Sequence, residues 1–146
     1  MSKKTNEKGF TIIEVVLVLA IAGLIFLIVF LALPQLQRSR RDTQRRNDVG
    51  RILASLESYA GNHNGEYPSE SEFGDDVNDS GSFLEEYFGT DNFADPSEGD
   101  YTEVDDPDDP GEMNYEEDED CDGNSGDRYV SVTMKLEQDS YCQDNR

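Results

Sequence analysis

Glu14 is the single charge in an apolar run that extends from Phe10 to Leu33. A carboxylate in such a run costs about 2.5 to 3.5 kcal/mol at the middle of a bilayer, and less near its edge, so its presence calls for a cation. Cleavage between Gly9 and Phe10 would supply one, because the new α-amino group of Phe10 would lie one helical turn from Glu14 or within reach of a neighbouring helix. A second set of chemical residues lies far along the chain. Asp118, Asp120, Asp122 and Gly123 form D-x-D-x-D-G, the first half of an EF-hand-like loop, with Asn124 next and Asp127 as a substitute late ligand. Oxygen donors at alternating positions suit calcium, but the twelfth position is Tyr129, so any calcium held there would be weakly bound and structural. Cys121 and Cys142 make a third set. They read as one disulfide if this part of the chain is exported, contributing about 3 kcal/mol by loop closure, and as two thiols if it is cytosolic.

Catalytic chemistry is poorly represented. The chain has one histidine, His63, which falls in a run of turn formers and reads as a turn residue. No glycine-rich phosphate loop, C-x-x-C or H-x-x-x-H pair occurs, and acidic pairs such as Glu85-Glu86 read as solvated, so no enzyme is expected and no cofactor is required.

These residues must be carried by a small number of elements. Residues 10–33, as a helix, would span about 36 Å, more than the ~30 Å hydrocarbon core of a membrane. Residues 34–61 continue the helix in amphipathic form, with Val49, Ile52, Leu53, Leu56, Tyr59 and Ala60 making one stripe that must cover a sheet. Gly23 weakens the helix and Pro34 should kink or open it. The helix stops at Gly61-Asn62-His63-Asn64-Gly65. Residues 69–82 read as a loop, Phe83 to Gly89 as one or two turns of helix with aromatics inward, and Asp105 to Gly111 as a turn. Met113-Asn114-Tyr115 begins a short strand, and Tyr129 to Glu137 alternates well, with Val130, Val132, Met134 and Leu136 on one face.

Charge divides the chain sharply. Residues 1–51 hold nine Lys or Arg against four acids, and residues 52–146 hold three against twenty-nine. An acidic part of this kind repels nucleic acid and anionic lipid, so nucleic-acid binding by it is not expected. The six arginines from Arg38 to Arg51 read as a solvated face or a membrane-surface patch, or as cations set beneath acidic neighbours. Three lysines precede the apolar run and six arginines follow it, which by the positive-inside rule alone would keep the acidic part in the cytoplasm.

Lys8-Gly9-Phe10-Thr11-Ile12-Ile13-Glu14, followed by about twenty apolar residues, resembles the class III signal of bacterial type IV pilins and pseudopilins. Cleavage would lie before the apolar run, unlike that of a secretory signal peptide, and no A-x-A-like site occurs around Ala32. The resemblance implies residues 1–9 as a leader cut after Gly9 by a prepilin peptidase on the cytoplasmic side. It implies N-methylation of Phe10, a role for Glu14 in pairing with a terminal amine during assembly, and a melted stretch bounded by Gly23 and Pro34. Asn64-Gly65-Glu66-Tyr67-Pro68 is also like the pilin loop between helix and sheet, and Asp95 to Tyr101 loosely resembles a D-P-x-x-G-x-x-Y element of pseudopilins. A disulfide from Cys121 to Cys142 fits the same resemblance.

The expected architecture is α+β: a long N-terminal helix, half transmembrane and half amphipathic, packed on an antiparallel sheet of three or four strands within an acidic head, residues 62–146. The expected function is a structural subunit of a type IV pilus, inserted in the cytoplasmic membrane as a precursor and then assembled into an extracellular filament. Its expected partners are copies of itself, minor pilins, the peptidase and an inner-membrane assembly platform. The alternatives are a pseudopilin of a type II secretion system and a signal-anchored, calcium-binding surface domain.

Overall fold

A computed structural model describes residues 9–89, 93–97 and 99–146, so the leader up to Lys8 lies outside the described residues. The chain divides into two compact units, Met1–Gln37 and Arg38–Arg146. Helix α1, Ile12–Asn62, contributes to both. The helix runs through Gly23 and Pro34 without a break.

In the first unit the helix is apolar on every side and no residue of its most apolar 18-residue window is buried. By length and composition it can cross a membrane. Phe10 is 87 % exposed, and the large side chains from Ile12 to Leu33 are exposed as well.

In the second unit the same helix becomes amphipathic and acquires a core. Val49, Ile52, Leu53 and Leu56 are buried, as the helical stripe in the sequence requires. They pack in one cluster with Met113, Tyr115, Val130, Val132 and Met134 of the sheet, and with Phe73, Phe83, Leu84, Phe88, Phe93 and Tyr101 from the connecting segments. The sheet order is β1-β2-β3-β4, built from Thr102–Glu103, Glu112–Glu119, Ser125–Lys135 and Ser140–Asp144. Antiparallel register places Met113 opposite Met134 and Tyr115 opposite Val132, which stacks two apolar pairs on the helix-facing side. Thus α+β with a long helix on a four-stranded sheet is the fold.

The structure departs from expectation in four places. First, the sheet is mixed, because β1 pairs with β2 in parallel. Parallel neighbours usually need a crossover of a dozen or more residues. Here β1 is only two residues long, and the Asp105–Gly111 turn, ending on Gly111 at φ 101°, brings the chain back alongside it. Second, the segment read as a loop contains a short helix, α2, Glu70–Phe73. Its signal was Ser69 with Glu72, a capping box in which the Ser69 amide and hydroxyl both donate to the Glu72 carboxylate, at 2.9 and 2.8 Å. Third, β2 runs eight residues, well beyond Tyr115, although Glu116 to Glu119 carry no apolar alternation. Fourth, the sequence pattern did not place β4, which pairs Cys142 beside Thr133. The aromatic helix α3, Phe83–Phe88, forms as expected, with Ser82 capping it and Gly89 ending it.

The turn after α1 is built as its residues dictate. Asn64 and Gly65 adopt φ of 61° and 90°, and the Gly65 amide donates back to the Ala60 carbonyl at 2.7 Å, closing the helix end. His63 stacks on Tyr59 at 3.8 Å, consistent with a turn residue. Tyr115 donates its hydroxyl to the Pro68 carbonyl at 2.7 Å, fixing the chain as it leaves the helix.

Candidate functional site

At the start of α1, Thr11 and Glu14 form a reciprocal cap. The Thr11 amide and hydroxyl both donate to Glu14 Oε2, at 3.1 and 2.9 Å, and the Glu14 amide lies 3.4 Å from Thr11 Oγ1. Thr-x-x-Glu is a capping box, so the carboxylate satisfies donors that every helix start leaves open. It does so at the surface, beside an exposed Phe10. In this unit, then, Gly9, Phe10 and Glu14 lie together at one helix end, with the carboxylate satisfied by its own chain.

Residues 4–30 match the prokaryotic N-terminal methylation motif. No curated protein and no solved structure was found to match the chain. The methylation motif takes in Gly9, Phe10 and Glu14, ends inside the apolar half of α1, and does not reach the head. With a class III signal and an apolar helix behind it, the motif fits a membrane-anchored precursor processed by a prepilin peptidase.

The second unit owes its closure to a cation the sequence placed on the surface. Arg45 is fully buried. Its Nε and Nη2 donate to the two oxygens of Asp95 at 2.6 and 3.0 Å, and Nη2 also donates to Ser97 Oγ at 2.6 Å. Nη1 donates to Asp42 at 3.1 Å and lies 3.6 Å from Glu137. Arg41 holds the other side of Glu137 at 2.7 Å. One turn along the helix, Asp48 accepts the Tyr101 hydroxyl at 2.8 Å. Helix residues 45 and 48 therefore grip both ends of the Asp95–Tyr101 segment, of which Glu98 lies outside the described residues. A solvated or intermolecular role for the whole arginine run is thereby corrected: Arg41, Arg45 and Arg51 are engaged by carboxylates of their own head.

Burial by itself would raise the Asp95 carboxyl, but hydrogen bonds from Arg45 and Ser97, with the Arg45 charge, outweigh it and hold its pKa below the usual carboxylate range. A lowered folded-state pKa gives stability that is present above the unfolded value, near 3.9, and lost as pH falls through the folded value. The melting temperature of the head should therefore fall as pH drops below about 4. Asp95→Asn should flatten that fall, and thermal melts of both proteins across acid pH would check it. The Tyr101 hydroxyl is pushed far up by burial and by its bond to Asp48, so it remains a neutral donor at any physiological pH.

Cys121 and Cys142 are joined, with Cα atoms 5.8 Å apart, tying the β2–β3 connection to β4. The five oxygen-bearing side chains expected around calcium are divided between two places, and no three His, Cys, Asp or Glu side chains among the described residues are placed to share one metal ion. Asp120 is buried and turned into its own loop, accepting the Asp122 and Asn124 amides at 2.9 Å each and the Asn124 side chain. Its remaining partner is Arg146, whose Nη2 lies 2.9 Å from Asp120 Oδ2 and 3.5 Å from Asp122. A guanidinium of the same chain thus lies against two carboxylates of the D-x-D-x-D-G pattern. Asp118, at φ 65° on a bulge in β2, and Asp127 line a different cleft.

Proposed function

We propose that the chain is a filament subunit of the type IV pilin kind, made as a membrane-inserted precursor, cut after Gly9 and assembled with copies of itself through its apolar helix. The observation that carries this reading is the methylation motif standing directly before a helix whose apolar surface is exposed on all sides, joined in sequence to an acidic head with its own core and disulfide. A membrane covers such a helix in the precursor, and the apolar helices of other copies cover it in a filament. Cleavage frees the Phe10 amine, which then competes with Thr11 for the Glu14 carboxylate, and the amine of an adjacent copy can do the same. Because an unpaired charge in an apolar core is penalised, that exchange fixes the axial register of one subunit on the next. The segment between Gly23 and Pro34 is the place where α1 can open during assembly, since one residue lacks a side chain and the other lacks an amide. The head is extracellular in this reading, with minor pilins, the prepilin peptidase and an inner-membrane platform as partners.

A pseudopilin of a type II secretion system is the second reading, and the Asp95–Tyr101 segment favours it, since a similar element occurs in pseudopilins and here grips the helix through Arg45 and Asp48. Electron microscopy of producing cells, with antibody against the head, separates the two. Long labelled surface filaments support the pilin; label confined to the periplasm supports the pseudopilin; label spread over the membrane without assemblies removes both.

A further inference from the structure

Two arginines of α1 have neither an ion pair nor an aromatic partner among the described residues. Arg41, Arg45 and Arg51 meet carboxylates of the same head, and Arg46 lies 5.3 Å over the ring of Tyr141. Arg38 and Arg40 are exposed and have no ion-pair or hydrogen-bond partner among the described residues. From Arg38 to Asn62 the helix rises about 36 Å, so these two cations stand at one end of the head segment of α1. Just past its other end, beginning at Glu66, is a cleft of about 370 Å³.

That cleft is the converse of the arginine pair. Glu66, Glu72, Glu117, Asp118 and Asp127 line it, together with the side of Tyr67. None of these five carboxylates is ion-paired with a lysine or arginine among the described residues. Partial desolvation and then the charges of Asp118, Glu70 and Glu72 push the Glu117 carboxyl up, so negative charge there is uncompensated. A guanidinium matches carboxylates through its forked donors and lies well on a tyrosine face.

We propose that Arg38 and Arg40 of one copy dock in the acidic cleft of a second copy, a contact that rests on the filament reading and supplies the head-to-head part of it. Opposite patches at opposite ends of one helix segment are heterologous, and a heterologous contact whose rotation does not close generates an open helical array. The occupant of the basic face is then another copy of this chain and not an anionic lipid headgroup.

The test uses the full chain in cells that make the filaments. Arg38→Glu with Arg40→Glu should lower the yield of sheared filaments at least about tenfold, because like charges now face the cleft. The disulfide and the melting temperature of the detergent-solubilised subunit should not change. Adding Glu66→Arg and Asp127→Arg, both exposed positions, should restore most of the yield. Unchanged yield from the double variant, or failure of the swap to restore it, overturns the contact. Loss of membrane-resident precursor in the double variant, unrepaired by the swap, assigns the arginines to lipid headgroups and also overturns it. Absence of filaments from the unaltered chain would instead sink the filament reading itself.

Discussion

Glu14→Ala should leave the head folded and the precursor in the membrane, yet reduce filament yield by two orders of magnitude or more. The two terms involved differ greatly in size. Losing the reciprocal cap with Thr11 costs about 0.5 to 2 kcal/mol, and only in the first turn of a helix that remains fifty-one residues long. Losing the partner of a buried amine costs about 3 to 5 kcal/mol, and it does so at every subunit added. At 1.4 kcal/mol per factor of ten, the second term alone gives roughly a hundredfold to several-thousandfold loss per contact. Glu14→Gln separates the two, because glutamine keeps the hydrogen bonds to Thr11 and loses the charge. Filament yield after shearing and the methylation state of Phe10 are the readouts. Normal yield from both variants would mean that the carboxylate serves the helix start alone.

Arg45→Ala is expected to unfold the head, or to lower its melting temperature by on the order of 15 °C or more. The arginine is fully buried, and its removal strands Asp95, which is 8 % exposed and, among the described residues, keeps a side-chain hydrogen bond only from Ser97. Removing one member of a buried pair is much worse than removing both. Arg45→Met with Asp95→Leu should accordingly recover a good part of the loss, although the Ser97 amide and Asp42 lose partners in that variant as well. Thermal melting of the two proteins under oxidising conditions decides the matter. Equal melting temperatures for Arg45→Ala and the parent would show that the Asp95–Tyr101 segment is held by its aromatic contacts and not by the ion pair.

How much of this was legible in the sequence depended on the range of the interactions. The apolar run, the amphipathic stripe, the Asn64-Gly65 turn and the Tyr129–Glu137 alternation depend on periodicity and backbone preference, which are local; the first three formed where they were read, while the strand spans Ser125–Lys135, starting four residues earlier and stopping two short of Glu137. The Ser69–Glu72 cap was equally local and could have revealed α2. Arg45 was harder. It lies four residues before Val49 and seven before Ile52, on the very stripe that faces the core, so helical spacing placed it inside. Its charge argued for the outside, and the partner that reverses that argument, Asp95, is fifty residues away. At the D-x-D-x-D-G loop the range was equally long: the cation beside Asp120 and Asp122 is Arg146, brought alongside by β4 and the disulfide. The parallel pairing of β1 rests on two residues and a proline-bounded turn, too little for any pattern to register. The Gly9–Phe10–Glu14 constellation lies within six residues of one helix start, so its pattern is local, and the methylation motif covers it.

Assembly through Glu14 depends on Phe10 becoming the first residue of the working protein, since only then does an amine exist for Glu14 to meet. Mass spectrometry of the intact subunit, taken from cells with their processing machinery, measures this directly. The prediction is a mature chain that begins at Phe10 and carries one added methyl group on its amine. A subunit that retains Lys3 and Lys4 ahead of Gly9 would contradict it and leave α1 as a plain membrane anchor.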